Sequence, residues 1–266
     1  MTPEQQALAD SIGRVLAADA EIEAAWIGGS LGRGAGDAFS DVDIVALTGV
    51  VRAGEVGQRY ARDISAIAEP ALVNPLFGGR VVNVVTADWQ RFDINFIEPG
   101  ELARFDAARL TVLFNKGERE PPRPAARPYR PTPDTLLKIV NEYFRVLGLL
   151  VVATGREEYL LGLSGVDILR RLTTDLMLEE NGIGPAERGG ALHRNPLLTA
   201  GQRRELDSLS PVVASREGLI EANIELAAIF LPRARSLARE IGMPWPTVLD
   251  EATRRHLRER MGVVIE

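Results

Sequence analysis

In the stretch WIGGSLGRGAGDAFSDVDIVAL, residues 26–47, ten residues separate the pair Gly29-Ser30 from Asp41, and Asp43 follows with one residue between. Alternate side chains of an extended segment share a face, so Asp41 and Asp43 point one way and Val42 the other. Two carboxylates about 4 Å apart repel by about 4 kcal/mol at an effective dielectric of about 20. Something positive must sit between them. Hard oxygen ligands at this spacing suit Mg²⁺, which takes phosphate oxygens readily as further ligands. The glycines allow positive φ and close approach of backbone to a ligand. N–H groups exposed in such a loop, running into a short helix, form an anion site. Ser30 adds a hydroxyl within reach of a terminal phosphate. Donors for a triphosphate beside a two-aspartate cation site imply phosphoryl or nucleotidyl transfer. A glycine turn before a solvated acidic strand end is the plain alternative. Loop, spacing, paired acids and flanking apolar runs together outweigh it.

A further carboxylate stands in Phe92-Asp93-Ile94-Asn95-Phe96-Ile97, which alternates with period two. Phe92, Ile94 and Phe96 share one face, Asp93 and Asn95 the other. A carboxylate in mid-strand is disfavoured without a partner. Arg91 is near enough in sequence to pair with it or to reach a phosphate, pairing being the simpler role. Asp88, in the turn Ala87-Asp88, is the rival acid.

The run GGSLGRGAGDAFSDVDI resembles the signature of the polymerase-β-type nucleotidyltransferase superfamily. With Arg33-Gly34, Asp37 and Ser40 it resembles the bacterial antibiotic nucleotidyltransferases. Length and domain order resemble the two-domain, homodimeric lincosamide type. The resemblance implies Asp41, Asp43 and Asp93 as catalytic residues and Mg²⁺ ligands, with Asp93 holding metal or taking the proton of the attacking hydroxyl. It implies Gly29, Ser30 and Arg33 as nucleotide-binding residues. From the helical half it implies a basic residue on the triphosphate, matched by Lys138, and a nearby glutamate as an alternative base, matched by Glu142. Salt bridging at i,i+4 explains Lys138 and Glu142 equally well. The activity implied is transfer of a nucleoside monophosphate, AMP in the first instance, from a nucleoside triphosphate to a hydroxyl of a small molecule such as an aminoglycoside or lincosamide. Two other readings remain: a protein or RNA nucleotidyltransferase of toxin–antitoxin type, and a non-catalytic nucleotide sensor. Arg188 and His193 have the Arg-x4-His spacing of the RNase partners of such toxins, a match that chance explains better.

Composition bounds the rest. The 266 residues, 45% hydrophobic and 26% charged, fit one large or two modest domains with a real core. Without cysteine there is neither disulfide nor thiolate site, and two histidines, His193 and His256, leave a histidine-ligated metal unsupported. The N-terminus has no basic-then-apolar signal pattern and no apolar run nears 18 residues, so the expectation is a cytoplasmic protein without membrane contact. A net charge of −6 argues against broad nucleic-acid binding and suits a cationic or neutral small substrate.

The elements needed to position these residues follow in order. Thr2-Pro3 opens a helix over 3–19. Strands are predicted over 21–27, 41–47, 80–86, 92–97 and 110–114, with helices over 54–68 and 99–106. Pro70 and Pro75 leave the stretch between them unassigned. Glu120 to Pro133 carries six prolines and is extended. Its arginines Arg123, Arg127 and Arg130 read as a solvated linker rather than a nucleic-acid patch. Helices are predicted over 134–153, 160–181, 202–209, 216–241 and 247–261, the fourth ended by Gly242, with a loop at Gly189-Gly190 and Asn195-Pro196. The resemblance to the lincosamide type covers this half in architecture, with Arg156-Glu157-Glu158-Tyr159 the nearest local match. The expected fold is α+β: a nucleotidyltransferase domain over 1–120 with a mixed sheet flanked by helices, a proline-rich linker over 121–133, and an all-α bundle over 134–266 for substrate binding and dimerisation.

Overall fold

A computed structural model describes residues 1–49, 52–124, 128–189 and 193–265. Arg127 and Gly190, which figure in the linker and loop readings, lie outside the described residues. The chain divides into two compact units, Met1–Ala126 and Arg127–Glu266.

The first unit runs α1 (Pro3–Ala18), β1 (Ile22–Ile27), the single turn α2 (Gly29–Gly32), β2 (Val42–Thr48), α3 (Ala53–Arg62), β3 (Pro70–Leu76), β4 (Val81–Thr86), β5 (Arg91–Ile97) and β6 (Thr111–Asn115). The six strands form one mixed sheet in the order β3-β4-β5-β2-β1-β6. β2 and β5 are parallel, and every other pair is antiparallel. The period-two pattern decides the faces. Ala25, Ile27, Val42, Ile44, Ala46, Phe92, Ile94 and Phe96 turn towards Leu8, Ile12, Leu16, Val56 and Tyr60 of α1 and α3. On the opposite face Trp26, Val45, Leu47 and Ile97 pack with Leu102. Asp43 and Asp93 belong to this second face, near the starts of β2 and β5, and Asn95 lies further along it beside Val45.

Three segments differ from the sequence expectation. The stretch between Pro70 and Pro75 is a strand, β3. It lies at the edge of the sheet, where one side needs no donors, so proline is tolerated. The helix expected over 54–68 ends at Arg62, and Ile64–Ala66 continues as a 3₁₀ turn with Ile64 buried. The segment near residue 100 is also 3₁₀, over Pro99–Arg104. The unit extends past residue 120: Pro121 is buried, and the Pro122 carbonyl accepts from the Ala107 N–H at 2.9 Å.

The second unit is helical: α4 (Pro133–Gly148), α5 (Leu150–Gly155), α6 (Tyr159–Glu180), α7 (Ala200–Asp207), α8 (Arg216–Ile241) and α9 (Thr247–Met261). Thr132 caps α4 by accepting from the Thr135 N–H. The helix expected to reach Ala153 breaks at Leu149, where the N–H bonds of Leu149 and Val152 close onto carbonyls three residues back. The core gathers Leu136, Val140, Leu169, Leu176, Leu226 and Phe230, with Tyr143 stacked on Phe230 at 3.6 Å between ring centroids. Gly242, at φ 70°, ends α8 in a left-handed C-cap.

Limited proteolysis is expected to cut within residues 121–133 first and release two resistant fragments. Each of Arg123, Arg127 and Arg130 precedes a proline, so the reagent should be a protease of broad specificity rather than trypsin. Protection of this stretch with cleavage elsewhere would show one fused domain.

Candidate active site

Strand register brings the acids together. In the parallel pair β2/β5, Asp43 lies directly beside Asp93. Across the next, antiparallel pair, Asp93 lies beside Asn83. Adjacent strands are about 4.8 Å apart, so Asn83, Asp93 and Asp43 form a continuous polar row on one sheet face. All three are half-buried. Asp41 enters from the loop immediately before β2.

The row is electrostatically crowded. Burial raises the Asp43 carboxyl to a pKa of about 6, and the charges of Asp41 and Asp93 push in the same direction. The Arg33 and Arg91 guanidinium groups offset part of this. Burial likewise raises Asp93. The hydrogen bond from Asn83 Nδ2 to Asp93 Oδ1 opposes that rise, and the Asp41 charge adds to it.

The glycine loop is fastened to the backbone of Asp43. The Gly28 N–H donates to the Asp43 carbonyl at 2.8 Å. Gly29 begins α2 at φ 57°, and a Cβ there would overlap the Asp43 carboxylate. Both conformation and space therefore demand glycine. The first-turn N–H groups of Gly29, Ser30 and Leu31 have no acceptor within a helix. Ser30 is half-buried at this turn, and Arg33 is its C-cap.

The loop leading into Asp41 is braced internally and from outside. The Asp37 carboxylate accepts from the Phe39 N–H at 2.9 Å and the Ser40 hydroxyl at 3.0 Å. Gln5, buried in α1, donates through Nε2 to the Asp37 carbonyl at 2.9 Å and the Ser40 carbonyl at 2.8 Å. Arg91 donates to the Phe39 carbonyl at 2.8 Å. It holds loop backbone, in place of the pairing with Asp93 expected from sequence.

The other expected residues fall out differently. Asp88 is exposed and accepts from Thr86 and Gln90 within its turn, bonds that hold its carboxyl below the usual range. Glu142 takes both forks of Arg145 at 2.7 and 2.6 Å, and this pairing lowers its pKa, the wrong direction for a base. Its partner is thus Arg145 and not Lys138. Lys138 is exposed on α4. Arg188 is committed to the buried Glu179 carboxylate and to the Ile183 carbonyl, a structural pairing that accounts for it without RNase chemistry.

Sequence reasoning missed Asn83 and Gln5. Asn83 is the sole polar residue in the run Val81–Val85, and Gln5 is the N3 residue of a helix cap. Both signals were present, each with an ordinary reading as a strand interruption or a capping glutamine.

The donor set has the chemistry of a divalent-cation site: carboxylate oxygens only, repelling one another. Among the described residues no three acidic or histidine side chains are already gathered as a metal site. Among the described residues no helix is long and apolar enough to cross a membrane.

The raised Asp43 pKa has a sign that can be tested. The folded chain binds a proton near pH 6, whereas the unfolded chain binds it near 3.8. The cost of ionised Asp43 is fully present above pH 6 and vanishes as pH falls through 6 towards 3.8. Asp43→Asn is therefore expected to raise the melting temperature of the ligand-free protein at pH 7.5 and to leave it unchanged at pH 4. Equal shifts at both pH values would remove the electrostatic account.

No family model matches the chain, and no curated protein matches it. Among solved structures it resembles the crystal structure of an aminoglycoside 6-adenyltransferase from Bacillus subtilis. The TM-score is 0.42 and the identity 16%, over 96% of this chain and 98% of that one.

Proposed function

We propose that the protein is a metal-dependent nucleotidyltransferase that moves a nucleoside monophosphate from a nucleoside triphosphate to a hydroxyl of a small molecule. The observation that carries the reading is the register of Asp43 with Asp93, directly against the Gly28–Ser30 turn. Carboxylates raised in pKa by burial first, with neighbouring acids adding to the rise, favour a functional site over a structural pair.

Asp41 and Asp43 are the residues that would hold Mg²⁺, with Asp93 beside them. When bound, the ion offsets phosphate charge and favours pyrophosphate as leaving group. The first-turn N–H groups and the Ser30 hydroxyl bind the terminal phosphates, and Arg33 adds positive charge. The acceptor hydroxyl oxygen attacks the α-phosphorus, and the bond from that phosphorus to the oxygen bridging to the β-phosphate breaks. Asp93 accepts the hydroxyl proton. Its environment favours this role, since burial raises its proton affinity. ATP is the donor to try first, and aminoglycosides and lincosamides are the first acceptors.

Two variants test the reading. Asp41→Asn with Asp43→Asn is expected to abolish Mg²⁺-dependent triphosphate binding, measured by calorimetry, while the protein stays folded. Asp93→Asn is expected to retain that binding and lose at least about 10²-fold in turnover, followed as transfer from radiolabelled ATP to the acceptor panel, or as pyrophosphate release to water. Unchanged binding in the double variant would refute the cation site. Unchanged turnover in Asp93→Asn would refute its role as base.

A further inference from the structure

We propose that Asn83 is the positioning residue of the reaction, orienting the Asp93 carboxylate so that one oxygen is fixed and the other is left to receive the acceptor's proton. This inference rests on the reading of Asp93 given above. Asn83 Nδ2 donates to Asp93 Oδ1 at 2.5 Å. Among the described residues nothing donates to Asp93 Oδ2. The two ends of the carboxylate are therefore inequivalent: Oδ1 is pinned and Oδ2 is open.

Three features make this more than a convenient partner. First, an asparagine inside a strand of valines is disfavoured by strand propensity, and it stands where Val81, Val82, Val84 and Val85 surround it. Second, the register places it directly beside Asp93 on one side and Asn74 on the other, yet its amide is turned towards Asp93. Third, the donor is neutral. An arginine or lysine there would also hold the carboxylate, but its charge would stabilise the ionised form and weaken it as a base. An amide fixes geometry with a smaller loss of basicity. A carboxylate free to rotate about χ2 presents its lone pairs in many directions, and only some meet an incoming hydroxyl.

The experiment compares Asn83→Val, which suits a strand and lacks the donor, with Asn83→His, whose Nδ1–H has the reach of the lost amide nitrogen. Asp93→Asn is the reference. Turnover is read with radiolabelled ATP and Mg²⁺ at pH 8, with the acceptor from the panel or with water. Binding of a non-hydrolysable ATP analogue with Mn²⁺ and the melting temperature are measured alongside. Asn83→Val is expected to lower kcat by about 10- to 100-fold, the range for partners that orient a functional side chain. The KM for ATP, the analogue affinity and the melting temperature should hold, and Asn83→His should restore most of the loss. Full activity in Asn83→Val beside an inactive Asp93→Asn would overturn the inference and leave the proposed function standing. So would a loss that tracks a fall in melting temperature, or that appears in KM alone. An active Asp93→Asn would overturn both.

Discussion

Asp43 and Asp93 lie side by side on parallel strands, with Asp41 close by, and the surrounding cations offset their repulsion only in part. Most of the local architecture in the first unit can be traced to holding that arrangement. The apolar alternation of β2 and β5 drives Ile44, Ala46, Ile94 and Phe96 into the helical face, and so presents the acids on the other. Gly29 is required because the carboxylate occupies the space of a side chain. Asp37, Ser40, Gln5 and Arg91 all bond to the few residues that carry Asp41 into β2.

The second unit handles acids in the opposite way. Asp250 is buried, which alone would raise its pKa, but hydrogen bonds from Trp245, Arg254 and Arg235 more than offset this and lower it. Glu179 is buried between Arg188 and the Tyr129 hydroxyl. These carboxylates are saturated by donors and cations, as structural ion pairs must be to survive burial. Asp43 and Asp93, half-exposed and under-compensated, are raised instead. The same chain thus shows both regimes, burial compensated by donors and burial left under-compensated.

The α+β class, the strands bearing the acids and the boundaries of α8 and α9 were legible in the sequence, because apolar period and capping residues act locally. Asp43 and Asp93 stood out because a charge on an otherwise apolar strand is conspicuous, whereas Asp41, expected to open the strand, lies in the loop before it. β3 was hidden by its prolines, whose tolerance depends on being at an edge, a property of the whole sheet. The break at Leu149 was hidden because a 3₁₀ step has no strong residue signature. Asn83 and Gln5 were missed for a common reason. Their partners lie ten and more than thirty residues away, across strands or between a helix and a loop. Pairing of that kind is set by register and packing, and no local pattern encodes it.

The start of α1 narrows what the chain can tolerate in drift. Thr2 and Gln5 form a capping box, with the Thr2 N–H donating to Gln5 Oε1 at 2.7 Å and the Gln5 N–H donating to Thr2 Oγ1 at 3.2 Å. For capping alone, glutamate and glutamine are interchangeable at this position. Here the amide nitrogen is spent on two carbonyls of the loop before Asp41, and a glutamate would set a carboxylate oxygen against both. A substitution that helix rules score as silent would here cost both of these bonds. The choice between amide and acid at residue 5 therefore depends on a loop more than thirty residues downstream.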